Sequence, residues 1–194
     1  MAPLLRKHLR EADAPYPVGV QRSLNVLYEH HKHKAQIRLA LLQEVIKIFR
    51  RSGLRPILIK GAALCYTLYH DPALRPMRDI DLLFDKSEVD QAQALLREFG
   101  FSQSALPIPK DHHHLPSLHK IIDGVEICIE LHRGLYPNCQ PYYPKVDFDN
   151  LYSTGITISM GSAEATTFNL EETIHYIYQH GLRAPLTYEP YKLI

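Results

Sequence analysis

Two aspartates separated by a single residue, Asp79 and Asp81, lie in an apolar stretch that continues to Phe84. In a β-strand alternate side chains share a face, so both carboxylates project the same way while Ile80 and Leu82 point to the core. Carboxylates about 7 Å apart along a strand repel each other unless a positive charge lies between them. Mg²⁺ binds oxygen ligands and is the natural partner. The pair predicts a hard-cation site; a surface strand that carries the pair by chance is the alternative.

A glycine turn precedes this strand. The apolar run 55–59 predicts a buried strand that ends at Lys60-Gly61, and residues 62–69 predict a helix directly after it. Glycine lets backbone N–H groups approach a phosphate, and the N-terminus of a helix favours negative charge. The turn is therefore a candidate phosphate-binding element. A plain strand-to-helix turn that needs glycine for its geometry is the alternative.

The third element is an acidic strand, 125–131, which follows Asp123-Gly124. An Asp-Gly pair between apolar runs is typical of a tight two-residue turn, so residues 115–131 predict a β-hairpin. Alternation places the apolar residues of the strand on one face, and on the other Glu126, Cys128, Glu130 and His132. The polar face suits the wall of an acidic pocket, and the solvated outer face of a hairpin is the alternative.

Apolar spacing predicts the elements that position these residues. A helix is predicted over 23–51, and another over 87–99 with Ser87 as its N-cap and Gly100 after its end. Strands at 55–59 and 79–84 and a late helix at 170–180 complete the pattern. This order predicts an α/β (α+β) fold, a mixed sheet with helices packed on it. The two strands are expected to be joined by a right-handed parallel crossover.

Composition divides the chain into three parts. Residues 1–22, with three prolines, predict an irregular N-terminal arm; residues 23–160 predict the core; residues 161–194 predict the start of a helical C-terminal region. Residues 138–152, rich in proline and tyrosine, predict a surface loop.

Charge and hydropathy narrow the class of protein. Hydrophobic residues make up 45% of the chain and charged residues 22%, with a net charge of +1 at pH 7, as in an ordinary soluble protein. This balance disfavours binding of nucleic acid by bulk charge. No apolar run reaches the roughly 20 residues of a membrane-spanning helix, and the N-terminus lacks a signal-peptide pattern. Cys65, Cys128 and Cys139 are widely spaced, which indicates reduced thiols and a cytoplasmic location.

Together these features resemble the polymerase-beta-type nucleotidyltransferase superfamily, and more specifically its group of uncharacterised nucleotidyltransferases. The resemblance covers about residues 35–182 and is carried by Ile59-Lys60-Gly61-Ala62-Ala63-Leu64, Leu68-Tyr69, Arg75, Arg78-Asp79-Ile80-Asp81-Leu82-Leu83, His113-His114-Leu115-Pro116 and Ile129-Glu130-Leu131-His132. One departure is Ala62, where many superfamily members have serine or glycine after the first glycine. The missing hydroxyl leaves phosphate binding to the backbone N–H groups of Gly61 and Ala62.

The resemblance implies a metal-dependent transfer reaction. Asp79 and Asp81 would hold two Mg²⁺ (or Mn²⁺) ions ~3.5–4 Å apart. Glu130 would complete the site and assist deprotonation of a hydroxyl. That hydroxyl would attack the α-phosphorus of a nucleoside triphosphate and expel pyrophosphate. The sequence therefore predicts a nucleotidyltransferase with Asp79, Asp81 and Glu130 as its catalytic residues.

The nucleotide and the acceptor would be bound by residues around this site. Lys60, Arg75 and Arg78 are candidates for neutralising phosphate charge; the alternatives are a solvated or helix-capping lysine and arginines that only orient the aspartates. The acceptor is a small molecule such as a sugar or an aminoglycoside-like compound, a protein side chain or an RNA end. The near-neutral charge disfavours RNA. The sequence predicts neither the preferred base nor the oligomeric state.

Several histidines are candidate ligands. His132 shares a face with Glu130, so contact with a substrate and a structural hydrogen bond are both open. His112–His114 with His119 suit Zn²⁺, which favours imidazole, but neighbouring rings point in different directions in an extended segment. The favoured alternative is that one or two of these histidines line the acceptor side of the cleft or bond to the backbone. Cys128 is interpreted as a small packed residue and not as a nucleophile.

Two rival functions come from other classes. A catalytically silent nucleotide-binding or interaction module is favoured by the partial C-terminal helical region, because that region usually helps to form the acceptor side. The three acids Asp79, Asp81 and Glu130 favour the enzyme instead. A zinc hydrolase built on the histidine cluster is the third interpretation.

Overall fold

The computed structural model describes residues 2–69, 71–105, 107–136 and 146–181, which form six α-helices and seven β-strands. The helices are α1 (Ala2–Glu11), α2 (Val18–Arg51), α3 (Lys60–Thr67), α4 (Val89–Glu98), α5 (Phe148–Thr154) and α6 (Leu170–Gly181). The strands are β1 (Ile57–Ile59), β2 (Asp79–Leu83), β3 (Ser102–Gln103), β4 (Leu118–Ile122), β5 (Val125–His132), β6 (Ile156–Met160) and β7 (Ala163–Thr167). A 3₁₀ turn, Pro72–Leu74, lies between α3 and β2. Within these ranges no helix is long and apolar enough to span a membrane.

All seven strands belong to one sheet, in the order β3-β4-β5-β2-β1-β7-β6. β2 pairs in parallel with β5, which places Asp81 beside Glu130. β1 pairs antiparallel with β2, which places Ile59 beside Asp81. The predicted mixed sheet with flanking helices is therefore confirmed, but the predicted parallel crossover between β1 and β2 is wrong. A parallel connection must return along the whole length of the strand. Here α3 and the 3₁₀ turn join the end of β1 to the start of β2, which lies beside it in the sheet.

Both faces of the central strands are covered by apolar residues. Leu58 and Leu82 pack against the buried stripe of α2, whereas Ile59 and Leu83 pack on the opposite face with residues of α5 and α6. Such two-sided burial explains why β1 is a continuous apolar run. Asp81 and Leu83 are two residues apart in β2, so Asp81 also lies on that second face. A carboxylate in this position must be compensated by specific partners.

The N-terminal region differs from the prediction. The residues predicted as an irregular arm form α1 and the start of α2. Pro3 lies in the first turn of α1, where its missing N–H interrupts no helical hydrogen bond. Ser87 does not cap α4, because its amide and hydroxyl both donate to Asp85 Oδ1, at 2.9 and 2.5 Å. Gly100 follows the end of α4 with a φ of +90°, as predicted.

The predicted hairpin 115–131 is confirmed as β4 and β5, with φ angles of +50° at Asp123 and +75° at Gly124 in its turn. A second hairpin, β6–β7, is absent from the prediction. Its turn starts at Gly161, which has a φ of +70°. The Gly-Ser dipeptide at this turn is typical of a two-residue hairpin, so the sequence does contain the relevant pattern.

The predicted loop 138–152 is wrong in its described part. Asp147 accepts a hydrogen bond from the amide of Asn150 at 3.0 Å and so starts α5. The remaining residues of this loop, including Cys139, lie outside the described residues, as does the C-terminal segment 182–194. The predicted late helix is confirmed as α6.

Candidate active site

Carboxylates from β2 and β5 meet beside the first residue of α3. Asp81 is 1% exposed, and its Oδ1 atom accepts hydrogen bonds from Lys60 Nζ at 2.6 Å and from His132 Nε2 at 2.8 Å. The same His132 nitrogen lies 3.6 Å from Glu130 Oε2. Asp79 lies two residues before Asp81 on the same face of β2. The fold therefore gathers the three acids from two adjacent strands, with one lysine among them.

The three carboxylates differ in how readily they ionise. Burial and the negative charges of Asp81 and Glu130 raise the pKa of Asp79. Burial also opposes ionisation of Asp81, but hydrogen bonds and charge from His132 and Lys60 outweigh it and lower the pKa of Asp81 to about 2. The nearby imidazole of His132 lowers the pKa of Glu130. Asp79 is thus held in an excess of negative charge, which a bound cation would relieve.

The strand-to-helix turn places its backbone strain at Lys60. This residue has a φ of +54°, a region that residues other than glycine rarely adopt. Gly61 is not needed for its own backbone angle. A Cβ atom on Gly61 would meet Met77 Cβ at 3.7 Å and Arg75 Nε at 3.8 Å, which are ordinary contacts. The missing side chain of Gly61 therefore leaves space beside Lys60. The strained backbone of Lys60 is of a type that is concentrated at functional sites.

A cavity of about 680 Å³ opens onto these groups. The predicted site residues on its wall are Lys60, Gly61, Arg75, Arg78, Asp79, Asp81 and Glu130. Tyr176 and His180 of α6 also line it, and neither is among the predicted site residues. Residues four positions apart share one face of a helix, so their spacing is the pattern that could have indicated a common surface. The cavity is therefore lined by residues of β2, β5 and the start of α3 and by residues of α6.

Two predicted site residues do not line the cavity. Ala62 is fully buried, and its side chain packs in the core. His132 is also 0% exposed, which does not fit contact with a substrate. Burial lowers the pKa of His132, but the hydrogen bond to Asp81 and the nearby Glu130 carboxylate outweigh it and raise the pKa overall. The geometry favours the structural alternative, in which His132 holds the two carboxylates in place.

Residues 112–114 contribute a second polar cluster to the cavity wall. The expectation that neighbouring rings point in different directions is wrong, because the chain turns here. The ring centroid of His112 lies 4.2 Å from those of both His113 and His114. Burial and the neighbouring imidazoles lower the pKa of His113 to about 2. His119 is not part of this cluster and contacts Ser117 instead.

Cys128 is half-buried near the acidic residues. Burial and the charges of Glu130 and Asp79 raise the pKa of its thiol to about 12. Because the thiolate is the reactive form, this cysteine is not an activated nucleophile. The environment agrees with the interpretation of Cys128 as a packed residue.

Comparison with known proteins gives a family and a fold. The model of a family described as uncharacterised nucleotidyltransferase matches residues 1–187. No curated protein sequence matches the chain. A nucleotidyltransferase candidate from Thermotoga maritima has a similar structure, with a TM-score of 0.52 and 13% identity over 74% of this chain and 84% of that one.

Two further solved structures share the fold. ANT(2″)-Ia in complex with adenylyl-2″-tobramycin has a TM-score of 0.51 and 13% identity over 81% of this chain and 84% of that one. An antigenic nucleotidyltransferase-like protein from Paracoccidioides brasiliensis has a TM-score of 0.52 and 19% identity over 82% of this chain and 72% of that one.

Proposed function

Because the chain belongs to the family of uncharacterised nucleotidyltransferases, we propose that it transfers a nucleoside monophosphate from a nucleoside triphosphate to a hydroxyl acceptor and releases pyrophosphate. One observation carries the proposal: Asp79, Asp81 and Glu130 converge from two strands onto a single cavity wall beside Lys60. Three acids that meet at one point suit a pair of divalent cations, which would stabilise the attacking and the leaving oxygen of a phosphoryl transfer.

The residues fit divalent cations. Ligand atoms of Asp81, Glu130 and His132 lie within 4.8 Å of one another, and Asp79 carries a charge that its acidic neighbours disfavour. We propose that Asp79, Asp81 and Glu130 hold two Mg²⁺ or Mn²⁺ ions, because carboxylate oxygens are the ligands that these hard ions prefer. When bound, the ions would neutralise phosphate charge and make the acceptor hydroxyl more acidic.

Basic residues of the wall would bind the triphosphate. Lys60 Nζ is held 2.6 Å from Asp81 while its side chain remains 23% exposed. On substrate binding, Lys60 would exchange this carboxylate for a phosphate oxygen. Arg75 and Arg78 line the same cavity and would add charge-assisted hydrogen bonds. Gly61 leaves the space that a phosphate needs beside the start of α3.

We propose that Glu130 acts on the acceptor. His132 lowers the pKa of Glu130 and keeps it ionised, and the ionised carboxylate would accept the proton of the attacking hydroxyl. His132 would orient Glu130 and Asp81 without touching the substrate. These roles are distinct: loss of Glu130 should impair transfer more than nucleotide binding.

The candidate acceptors are small molecules, protein side chains and RNA ends. The net charge of +1 gives no bulk attraction to RNA and favours the first two. One structural relative was solved with adenylyl-2″-tobramycin, in which the nucleotide is joined to a small molecule. The silent-module alternative gains nothing from the structure, because it gives no reason to retain three clustered acids.

A thermal-shift screen of the four nucleoside triphosphates with Mn²⁺ tests the nucleotide site. A ligand that binds only the folded protein raises its apparent stability, so we expect a metal-dependent shift with at least one nucleotide. Asp79→Ala should abolish the shift, while Asp90→Ala, an exposed aspartate in the first turn of α4, should retain it. An undiminished shift in Asp79→Ala would contradict the proposal.

Transfer is tested with a matched pair of variants on β5. Glu130→Gln should keep most of the nucleotide-induced shift but lose pyrophosphate release in a pool of hydroxyl-bearing small molecules. Glu126 lies on the same strand and the same face but is exposed at its far end, so Glu126→Gln should behave as the wild type. Equal pyrophosphate release from the two variants would remove Glu130 from its proposed role.

A further inference from the structure

Three consecutive imidazoles converge on one point of the cavity wall. Besides the 4.2 Å separations from His112, the centroids of His113 and His114 lie 4.9 Å apart. One ring nitrogen from each residue lies within 4.8 Å of the other two. His113 is 5% exposed, and its buried Nδ1 atom has no hydrogen-bond partner within the described ranges. A buried polar nitrogen without a partner is costly and calls for a ligand.

The backbone holds this segment firmly. His114 forms a bridge with His132 at the end of β5, and the Leu115 amide donates to the Leu131 carbonyl at 2.8 Å. Arg133 adds two bonds: its amide donates to the His113 carbonyl at 2.9 Å, and its Nε donates to the His112 carbonyl at 2.8 Å. The three rings are therefore presented by an ordered backbone, which reduces the entropy lost on binding a ligand.

The hydrogen bonds of the rings suit a metal. His114 Nδ1 lies 2.7 Å from the carbonyl of Leu115, which fixes the proton on Nδ1 and leaves the Nε2 lone pair available. Histidines that bind metals usually donate their other ring N–H to a carbonyl or carboxylate in this way. His112 Nδ1 makes only a long contact, 3.4 Å, with the His114 amide. His132 is bonded to Asp81 through Nε2, and the group of ring nitrogens that lie within 4.8 Å of one another consists of His112, His113 and His114.

We propose that His112, His113 and His114 form a transition-metal site that binds Zn²⁺ and is separate from the carboxylate site. Three nitrogen donors suit a borderline-soft ion, whereas Mg²⁺ prefers oxygen. With Zn–N distances of 2.0–2.1 Å, tetrahedral geometry needs nitrogens about 3.3 Å apart. Rotation of the rings would bring them to this separation by moving each nitrogen by about an ångström. All three rings line the cavity, so the remaining coordination position is open to water or to a donor atom of a bound molecule.

Zinc content of the purified full-length protein tests the site. After removal of metals, the protein is equilibrated with Zn²⁺ in excess Mg²⁺, which keeps zinc off the carboxylates, and bound zinc is measured by mass spectrometry. We expect about one ion per chain. His112→Ala and His114→Ala should each weaken zinc affinity by at least about 10-fold, since even an outer-shell partner is worth that much. Replacement by Co²⁺ should give the intense visible absorption of a tetrahedral site.

Two controls make the result specific. His30 and His31 form a neighbouring pair on α2, with ring centroids 5.8 Å apart, so the double variant His30→Ala/His31→Ala should bind zinc like the wild type. Asp79→Ala should also retain zinc, because that residue belongs to the carboxylate site. Circular dichroism of the single-histidine variants checks that the fold is kept. The proposal is overturned if the wild type binds no zinc, if His112→Ala and His114→Ala bind it undiminished, or if Asp79→Ala loses it.

Discussion

Replacing Asp79 with asparagine should stabilise the metal-free protein, although it removes a group of the proposed active site. Asp79 is half-buried, and burial together with the charges of Asp81 and Glu130 raises its pKa. Without divalent ions, the ionised carboxylate is therefore less favourable in the folded state than in the unfolded chain. Asparagine has the same shape and no charge, so the substitution removes the repulsion and keeps the packing.

The size of the effect follows from the strand geometry. Carboxylates two residues apart on one strand face are separated by about 7 Å, and at an effective dielectric constant of about 20 their repulsion is about 2 kcal/mol. Attraction from Lys60 and Arg38 offsets part of it. We expect Asp79→Asn to raise the free energy of unfolding by about 1 kcal/mol at pH 7 in EDTA.

The sign of the pH dependence is also determined. An acid whose pKa is raised on folding binds protons more tightly in the folded state, so wild-type stability increases as the pH falls from above the folded pKa of Asp79 towards its unfolded pKa. The asparagine variant lacks this gain. The difference between the two proteins should therefore be fully present at neutral pH and should close as the pH approaches about 4.

Urea unfolding followed by circular dichroism measures the effect in EDTA at both pH values. The matched control is Asp90→Asn, at an exposed position in the N-terminal turn of α4. This variant should have a free energy of unfolding about 0.3–1 kcal/mol lower than the wild type, because the negative charge of Asp90 interacts favourably with the helix dipole. A loss of stability in Asp79→Asn at pH 7, or a difference that does not change with pH, would refute the electrostatic reasoning.

Four further predictions follow from contacts in the structure. Gly61→Ala should leave the free energy of unfolding unchanged or raise it by up to about 1 kcal/mol, because alanine favours a helix, yet weaken the nucleotide-induced thermal shift; an unchanged shift would contradict the role of the open space. His132→Ala leaves buried Asp81 without one of its two donors and should cost about 3 kcal/mol in urea unfolding; a cost below about 1 kcal/mol would show that Lys60 suffices. Gly155→Ala should cost about 1–3 kcal/mol, because its Cβ would lie 2.8 Å from both a side chain and a carbonyl of β7; a neutral result would mean that the strand moves freely. Burial raises the pKa of Cys65 from 9.0 to about 11, so its thiolate fraction at pH 8 falls about 100-fold, and peptide mapping should show iodoacetamide labelling far slower than for a free thiol.

Local patterns were sufficient to predict most elements and the acidic residues. Alternation along β5 placed Glu130 on the polar face, and the single residue between Asp79 and Asp81 placed both carboxylates on one side of β2. The Asp123-Gly124 turn identified the hairpin. These predictions depend on the periodicity of a single strand or turn, which the sequence contains directly.

Long-range relations could not be predicted in the same way. The direction of β1 relative to β2 depends on where α3 packs, and the burial of His132 depends on its pairing with Asp81, which is distant in sequence. The positive φ angle of the strand-to-helix turn lies at Lys60 and not at the glycine that follows it. The cytoplasmic location and the boundaries of the three predicted parts stay predictions.

The turn at residues 112–114 shows how tertiary contacts override local expectation. In an extended segment the rings would diverge, but Arg133 and the end of β5 bind the backbone of this segment and bend it. The cover provided by Tyr176 and His180 is likewise visible only once α6 is packed on the cavity.

Counting bound Mn²⁺ by electron paramagnetic resonance, in the presence of a triphosphate analogue that cannot be cleaved, tests the proposed carboxylate site most directly. Wild-type protein should bind about two ions per chain with the analogue, and Asp81→Asn should lose this binding while remaining folded by circular dichroism. Equal Mn²⁺ binding in the wild type and in Asp81→Asn would contradict the account.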